Sequence, residues 1–269
     1  MALALEGKTA VVTGAGRGVG RAIAQRFAQS GAQILACDRD ETSLNKTVEL
    51  IREAGGEITG FSADLSAVLG VQNLMAAALD AYDRIDILAN ALRFVEPGEV
   101  LELDAEAMTR SFELNVGVSF RLTQAAARRM IAQREADGGG AGAAGAIVNL
   151  SSVAARRAAP RSVPYSVACA AIEQMTRSMA VALAPKGIRV NAVAMGSLMT
   201  AALRETLRDN PDSRADIVRA TPLGRIGDAL EAAEAALFLA SPSAGFVTGQ
   251  IVDVDGGRSI LDPLDLPAL

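Results

Sequence analysis

Histidine is absent from the 269 residues. Without an imidazole, serine triads, cysteine–histidine pairs and helical two-histidine metal sites are excluded, and most hydrolase chemistry goes with them. Cysteine is nearly absent too. Cys37 and Cys169 lie far apart with no metal-ligand spacing, so neither a disulfide framework nor a zinc site is indicated and both thiols are expected to be reduced. No stretch approaches the roughly 18 consecutive apolar residues of a membrane span. The N-terminus, Met1-Ala-Leu-Ala-Leu-Glu-Gly-Lys8, lacks the basic region that opens a secretion signal. A soluble, cytoplasmic protein is the expectation. A basic surplus is missing as well: the net charge is −5, which argues against a nucleic-acid surface. Arg128-Arg129 and Arg156-Arg157 read as solvated surface.

What is present is a rhythm. Half of the residues are hydrophobic, and they come in short runs. Lys8–Thr13 is a β-branched strand, Arg21–Ser30 an apolar-periodic helix, and Gln33–Cys37 a second strand closed by Asp38. The pattern continues with a helix from Glu41 to Ala54, a strand Glu57–Phe61 ending at Asp64, a helix Ala67–Tyr82 and a strand Ile85–Ala89. Ala105–Arg134 holds one or two long helices interrupted near Asn115 and Gly117. A glycine/alanine stretch at 136–145 is expected to be a flexible surface loop. Strands Ala146–Leu150, Ile188–Val193 and Val247–Val254, helices Ser166–Ala184 and Ala229–Ala240, a helical excursion over Thr200–Leu223 and an extended tail to Leu269 complete the chain. Parallel strands joined by helices imply one doubly wound α/β domain with helices on both faces of the sheet.

The turn between the first strand and helix reads Gly14-Ala-Gly-Arg-Gly-Val-Gly20. Glycine permits positive φ and close backbone approach, and the helix N-terminus behind it favours a pyrophosphate. Gly14, Arg17, Gly18, Val19 and Gly20 are therefore candidate cofactor contacts, although Val19 stands where a GxGxxG pattern has its third glycine. Asp38, at the end of the second strand, is placed to accept hydrogen bonds from an adenosine ribose and to repel a 2′-phosphate, which favours NAD. Arg17 and Arg39 keep NADP open. Asp64-Leu65 is placed at an adenine edge, and Asn90 beside a ribose.

Ser152 ends a hydrophobic strand, and Tyr165 follows at the start of a helix. At that spacing the two hydroxyls can converge on one small polar substrate group. One helical turn after the tyrosine, where a base partner is expected, the chain has Cys169.

Over nearly its whole length the sequence resembles the short-chain dehydrogenase/reductase family. The matches are Thr13-Gly-Ala-Gly-Arg-Gly-Val-Gly20, Asp64, Asn90-Ala91, Asn115, Ser152, Tyr165, Val190-Asn191-Ala192, Gly196 to Thr200, and Thr248-Gly249 through Asp255-Gly256-Gly257. The resemblance implies a single Rossmann-like domain with a parallel seven-stranded sheet, commonly a homotetramer, with small-molecule alcohol or carbonyl substrates. It implies that Tyr165 exchanges a proton with the substrate oxygen while hydride moves to or from a nicotinamide. Ser152 would orient that oxygen and Asn115 would kink its helix and hold a relay water. Gly196 and Thr200 would join the cofactor site, and residues 197–223 the substrate lid. The chain departs from the family pattern where the chemistry sits: Cys169 replaces a lysine, Ala89-Asn-Ala-Leu92 replaces Asn-Asn-Ala-Gly, and Met195-Gly196 replaces Pro-Gly.

A free tyrosine ionises near pH 10, so about one in a thousand is phenolate at neutral pH. A lysine about 4 Å away would favour the phenolate by roughly 4 kcal/mol at an effective dielectric of 20, about three pKa units. Its loss predicts a proton transfer slower by about a hundred- to a thousand-fold near pH 7. Lys8, Lys46 and Lys186 lie on other elements, and Arg156, Arg157 and Arg161 are the neighbours in sequence with reach. Cys169 itself reads as a small buried helix residue. Two functions fit: an NAD(P)(H)-dependent alcohol–ketone oxidoreductase, impaired by the missing lysine, and a catalytically degenerate dinucleotide binder acting as a sensor or hetero-oligomer subunit.

Overall fold

The computed structural model describes residues 4–139 and 143–262. The middle of the expected glycine/alanine loop, residues 140–142, and the tail from 263 lie outside them. The β-branched stretch Thr9–Thr13 forms β1, buried along its whole length, as suits a strand covered on both faces. In order there follow α1 (Gly18–Gln29), β2 (Gln33–Asp38), α2 (Glu41–Glu53), β3 (Ile58–Ser62), α3 (Val68–Tyr82), β4 (Ile87–Asn90) and α4 (Ala107–Phe112). A π-helical turn, Glu113–Gly117, joins α4 to α5 (Val118–Ala136). The chain continues through β5 (Gly145–Ser152), α6 (Val163–Leu183), β6 (Ile188–Met195), α7 (Ala201–Asp209), α8 (Asp212–Arg219), α9 (Ala229–Ala240) and β7 (Ile251–Val254).

The strands make one seven-stranded sheet in the order β3-β2-β1-β4-β5-β6-β7, every pair parallel. One face packs Ile23 and Phe27 of α1 with Ala232, Ala236 and Leu237 of α9. The small residues of α9 let it lie close against α1. The other face packs Leu74 of α3, Leu122 and Met130 of α5 and Ala180 of α6. Fold class and layer count are those the sequence predicts. Among the described residues no helix is long and apolar enough to cross a membrane.

Most element ends fall within three residues of expectation, and the larger differences lie toward the C-terminus. The last strand begins at Ile251, not Val247, because Gly249 adopts φ +73 and breaks the extended run. Residues 247 and 248 serve β6 instead: the Thr248 hydroxyl accepts the Val190 N–H at 3.1 Å, and the Val247 carbonyl accepts from the Asn191 amide at 2.9 Å. The 200–223 excursion is two helices, α7 and α8, broken at Asn210-Pro211. The winding of the sheet reverses between β1 and β4, which opens a crevice beyond their carboxyl ends.

Candidate active site

The β1–α1 loop is shaped by what a side chain would strike. A Cβ on Gly20 would lie 2.1 Å from the Gly14 carbonyl oxygen, and one on Gly14 would lie 2.7 Å from the Ala91 carbonyl oxygen just past β4. Gly14 also sits at φ +64, a left-handed value that favours glycine. Backbone therefore meets backbone at the mouth of the crevice. Helix α1 begins at Gly18 with no side-chain cap and no acidic residue in its first turn, which leaves its N–H groups and dipole to an anion. Arg17 is exposed, and Val19 packs against the core. The cradle fits a pyrophosphate. Thr200, which caps α7 by accepting the Leu203 N–H at 3.3 Å, borders the loop: its methyl lies 3.6 Å from the position a Cβ on Gly18 would take. Gly196, just past β6, donates its N–H to Val254 at 3.0 Å.

Asp38 has a structural duty the sequence did not show. Its two carboxylate oxygens accept the Gly16 N–H at 2.9 Å and the Asp40 N–H at 3.0 Å, so it braces the glycine loop. Each oxygen keeps a second lone pair for a ribose hydroxyl. Arg39 is exposed nearby. The Ser66 amide and hydroxyl hold the exposed Asp64 carboxyl below the usual range, with a smaller contribution from Arg39. Two side chains named from the sequence turn into the protein. The Leu65 side chain belongs to the core with Val11 and Leu74, so only its main chain is left for an adenine edge. The Asn90 side chain is buried and stitches strands together, donating to Asn149 at 2.8 Å and Thr123 at 3.3 Å. Its Oδ1 has no hydrogen-bond partner among the described residues.

Asn115 lies in the π-helical turn, where the helix was expected to be interrupted. Its amide clamps the segment after β4: Oδ1 accepts the Phe94 N–H and Nδ2 donates to the Phe94 carbonyl, each at 2.9 Å, with a further bond to the Ser111 carbonyl at 2.8 Å. Both amide protons are thus used by protein.

Tyr165 stands in the first turn of α6, behind Pro164, a residue whose fixed φ suits a helix start. The tyrosine is 6% exposed, and its hydroxyl is in hydrogen-bonding reach of the side chains of Ser152 and Cys169. Ser152, at the end of β5, accepts the Ala154 N–H at 3.2 Å and donates to the Met195 carbonyl at 3.4 Å. Burial pushes the Tyr165 phenol well above its ordinary range; the charge of Arg93 and the Ser152 hydrogen bond oppose this, and Cys169 adds to it. Burial likewise raises the Cys169 thiol, so neither group is an anion at neutral pH.

The arginines suspected from sequence all turn elsewhere. Arg156 pairs with Asp253 of β7 and with the buried Glu173, Arg157 donates to the carbonyls of Ser259 and Leu261, and Arg161 pairs with Glu99 at 3.2 Å. The cation that does reach the tyrosine is Arg93, whose guanidinium carbon lies 5.0 Å from the ring centroid. Sequence reasoning missed it, although its place three residues past β4, beside the topological reversal, was a usable signal.

Residues 14–259 match the family model described as Enoyl-(Acyl carrier protein) reductase. An uncharacterized oxidoreductase of Mycobacterium tuberculosis is 40% identical over 98% of this chain and 96% of its own length. The 7alpha-hydroxysteroid dehydrogenase of Escherichia coli is 34% identical over 95% of each. A structure of 7 alpha-hydroxysteroid dehydrogenase complexed with NADH and 7-oxo glycochenodeoxycholic acid superposes with a TM-score of 0.87 and 33% identity, covering 94% of this chain and 95% of that one. With the sheet order, the glycine cradle and the Ser152–Tyr165 pair in place, these matches make the chain a member of the short-chain dehydrogenase/reductase family of oxidoreductases.

Proposed function

We propose that the protein interconverts a secondary alcohol and a ketone with NAD(P)(H). The observation that carries this is the meeting, along one edge of the sheet, of an uncapped glycine cradle and a half-buried serine beside a buried tyrosine. A nicotinamide dinucleotide bound there would accept or supply the hydride. Ser152 would hydrogen-bond the substrate oxygen and fix its direction. In oxidation the Tyr165 phenolate takes the hydroxyl proton as the carbonyl forms; in reduction the phenol returns that proton to the new alkoxide. Gly14, Gly18 and Gly20 would hold the pyrophosphate, with Val19 and Thr200 alongside, and the Asp38 carboxylate favours NAD by repelling a 2′-phosphate. Likenesses to one structure complexed with NADH and to another with bound NADP support a nicotinamide dinucleotide of either kind. Arg17 and Arg39 make NADP the second cofactor. Helices α7 and α8, within the 197–223 segment, would form the lid over the substrate. Exposed Phe112, Phe120 and Val167 on α4, α5 and α6 support assembly as a homotetramer.

Without a lysine at position 169, turnover should be slow at pH 7 and rise with pH, since only the phenolate accepts a proton. Steady-state assays with NAD and NADP from pH 7 to 10.5 on a panel of secondary alcohols test this. Rates climbing with pH, higher with NAD, are the expected result. Dinucleotide binding with no turnover at any pH would replace the enzyme by a binding protein, a sensor or a subunit of a hetero-oligomer.

A further inference from the structure

We propose that Arg93 supplies, from the loop after β4, the positive charge that promotes Tyr165 ionisation, a task for which position 169 offers no cation. The inference rests on reading Tyr165 as the proton-transfer group. Arg93 makes no hydrogen bond or ion pair with any described residue; its one recorded contact is the face of the Tyr165 ring, at 5.0 Å. A guanidinium over an aromatic face is attracted by the ring's negative quadrupole, and it is attracted more strongly when the ring carries a phenolate's charge.

The main chain keeps it there. On one side the Ala91 N–H donates to the Thr13 hydroxyl at 3.2 Å; on the other, Phe94 is clamped through both its N–H and its carbonyl by Asn115. Arg93, in the loop after Asn90, and Cys169, on α6, thus converge on one phenol from two elements. Other groups facing the phenol are few: Ser152 from β5 and Cys169 from α6. One turn beyond, Glu173 accepts from Ser151 at 3.3 Å and pairs with Arg156 and Arg177, while Arg156 also pairs with Asp253. Glu173 is therefore compensated, and Arg93 is the cation left facing Tyr165. Arg93 is a positioning residue, acting on the substrate only through the tyrosine.

The chain has two tyrosines, Tyr82 and Tyr165. Growth on a ring-fluorinated tyrosine, whose phenol ionises at lower pH, in a Tyr82→Phe background leaves one fluorine probe at the site. Its chemical shift, followed by NMR against pH in the full-length protein, reads the ionisation directly and needs neither substrate nor turnover. Arg93→Met should raise the midpoint by about one unit, as expected for one cation about 5 Å away in a partly solvated site. Arg93→Lys should recover much of that shift, and Arg93→Glu should exceed it. Because Arg93 is exposed, the variants should melt with the parent. A midpoint unmoved in Arg93→Met, or the same shift in Arg93→Lys, Arg93→Met and Arg93→Glu, overturns the proposal. If the midpoint moves as expected but no alcohol or ketone turns over, the electrostatic role of Arg93 stands and the oxidoreductase reading falls.

Discussion

The two halves of the site are built differently. The glycine cradle between β1 and α1 is backbone against backbone, with carbonyl oxygens 2.1 Å and 2.7 Å from where a Cβ would stand on Gly20 and Gly14. The Ser152–Tyr165–Cys169 end is side chain against side chain, with a lone arginine over the ring. Steric exclusion leaves a position almost no choice of residue. Electrostatics can be satisfied from several directions, so a cation lost from α6 can be supplied in part by the loop after β4. That difference sets what each end tolerates: contact fixes Gly14 and Gly20, whereas charge beside Tyr165 can come from more than one place.

The sharpest way to break the contrast is to put a side chain into the cradle. Gly20→Val should lose at least about 3 kcal/mol of stability, since rigid backbone cannot yield by an ångström without cost, and should abolish dinucleotide binding. Chemical denaturation and NADH fluorescence would show it, and normal melting with intact binding would mean the loop is softer than drawn. Next in size is Tyr165→Phe, which should cut kcat by about a hundred- to ten-thousand-fold with little change in dinucleotide affinity or melting. A loss of cofactor binding there would blur the separation of the two ends.

Restoring the cation should act in the opposite direction. Cys169→Lys should raise turnover at pH 7 by about ten- to a hundred-fold. The sign follows from the phenol: burial holds it well above its ordinary range and an adjacent ammonium lowers its pKa, so the rise of rate with pH should begin at lower pH in the variant than in the parent. An equal gain at all pH values would mean that the lysine acts by holding a ligand and not through the phenol. Asn115→Ala should cost about 2 kcal/mol from the broken Phe94 clamp, read by thermal melting, and should loosen Arg93 as well. The smallest effect lies away from both ends. Burial raises the Asp86 carboxyl, but hydrogen bonds from Arg84 and the Thr9 amide and the charge of Lys8 more than offset this and hold it below its ordinary range. A depressed carboxylate stabilises above its unfolded pKa of about 3.9 and loses that contribution as pH falls through the folded value. Asp86→Asn should therefore flatten the melting profile below about pH 4 by about 1 kcal/mol while leaving the alkaline rate profile unchanged.

The sheet was legible because period and chemistry agreed. β1 is a β-branched run followed by glycine, α1 buries Ile23, Ala24 and Phe27 on one stripe, and β6 and β7 give way to Gly196 and Asp255. The glycine loop, Asp38, Ser152 and Tyr165 could be placed for the same reason, as they sit at strand ends or helix starts. What escaped was the direction in which side chains turn once an element stops. Asn90 and Leu65 stand at the expected strand ends, yet cross-strand packing uses them. Arg93 has a signal in its place past β4, but its direction depends on the clamp on Phe94 made by a residue 21 positions further on. Arg156 seemed available until folding brought Asp253 of β7 beside it, and nothing local in the sequence marks that pairing.

The π-helical turn at Glu113–Gly117 is a change of phase. The Val118 N–H bonds back to the Glu113 carbonyl, five residues instead of four, and one residue in an α-helix is about 100° of rotation. Asn115 can therefore look toward Phe94 while Val118, Leu122 and Ala126 fall on the row that faces the sheet. Removing any single residue from that turn would let the helix run regularly and would also swing one of those two faces out of line. A substitution there leaves the phase of the helix untouched, whereas a change of length shifts it, so in this short segment it is the count of residues that fixes where both faces point.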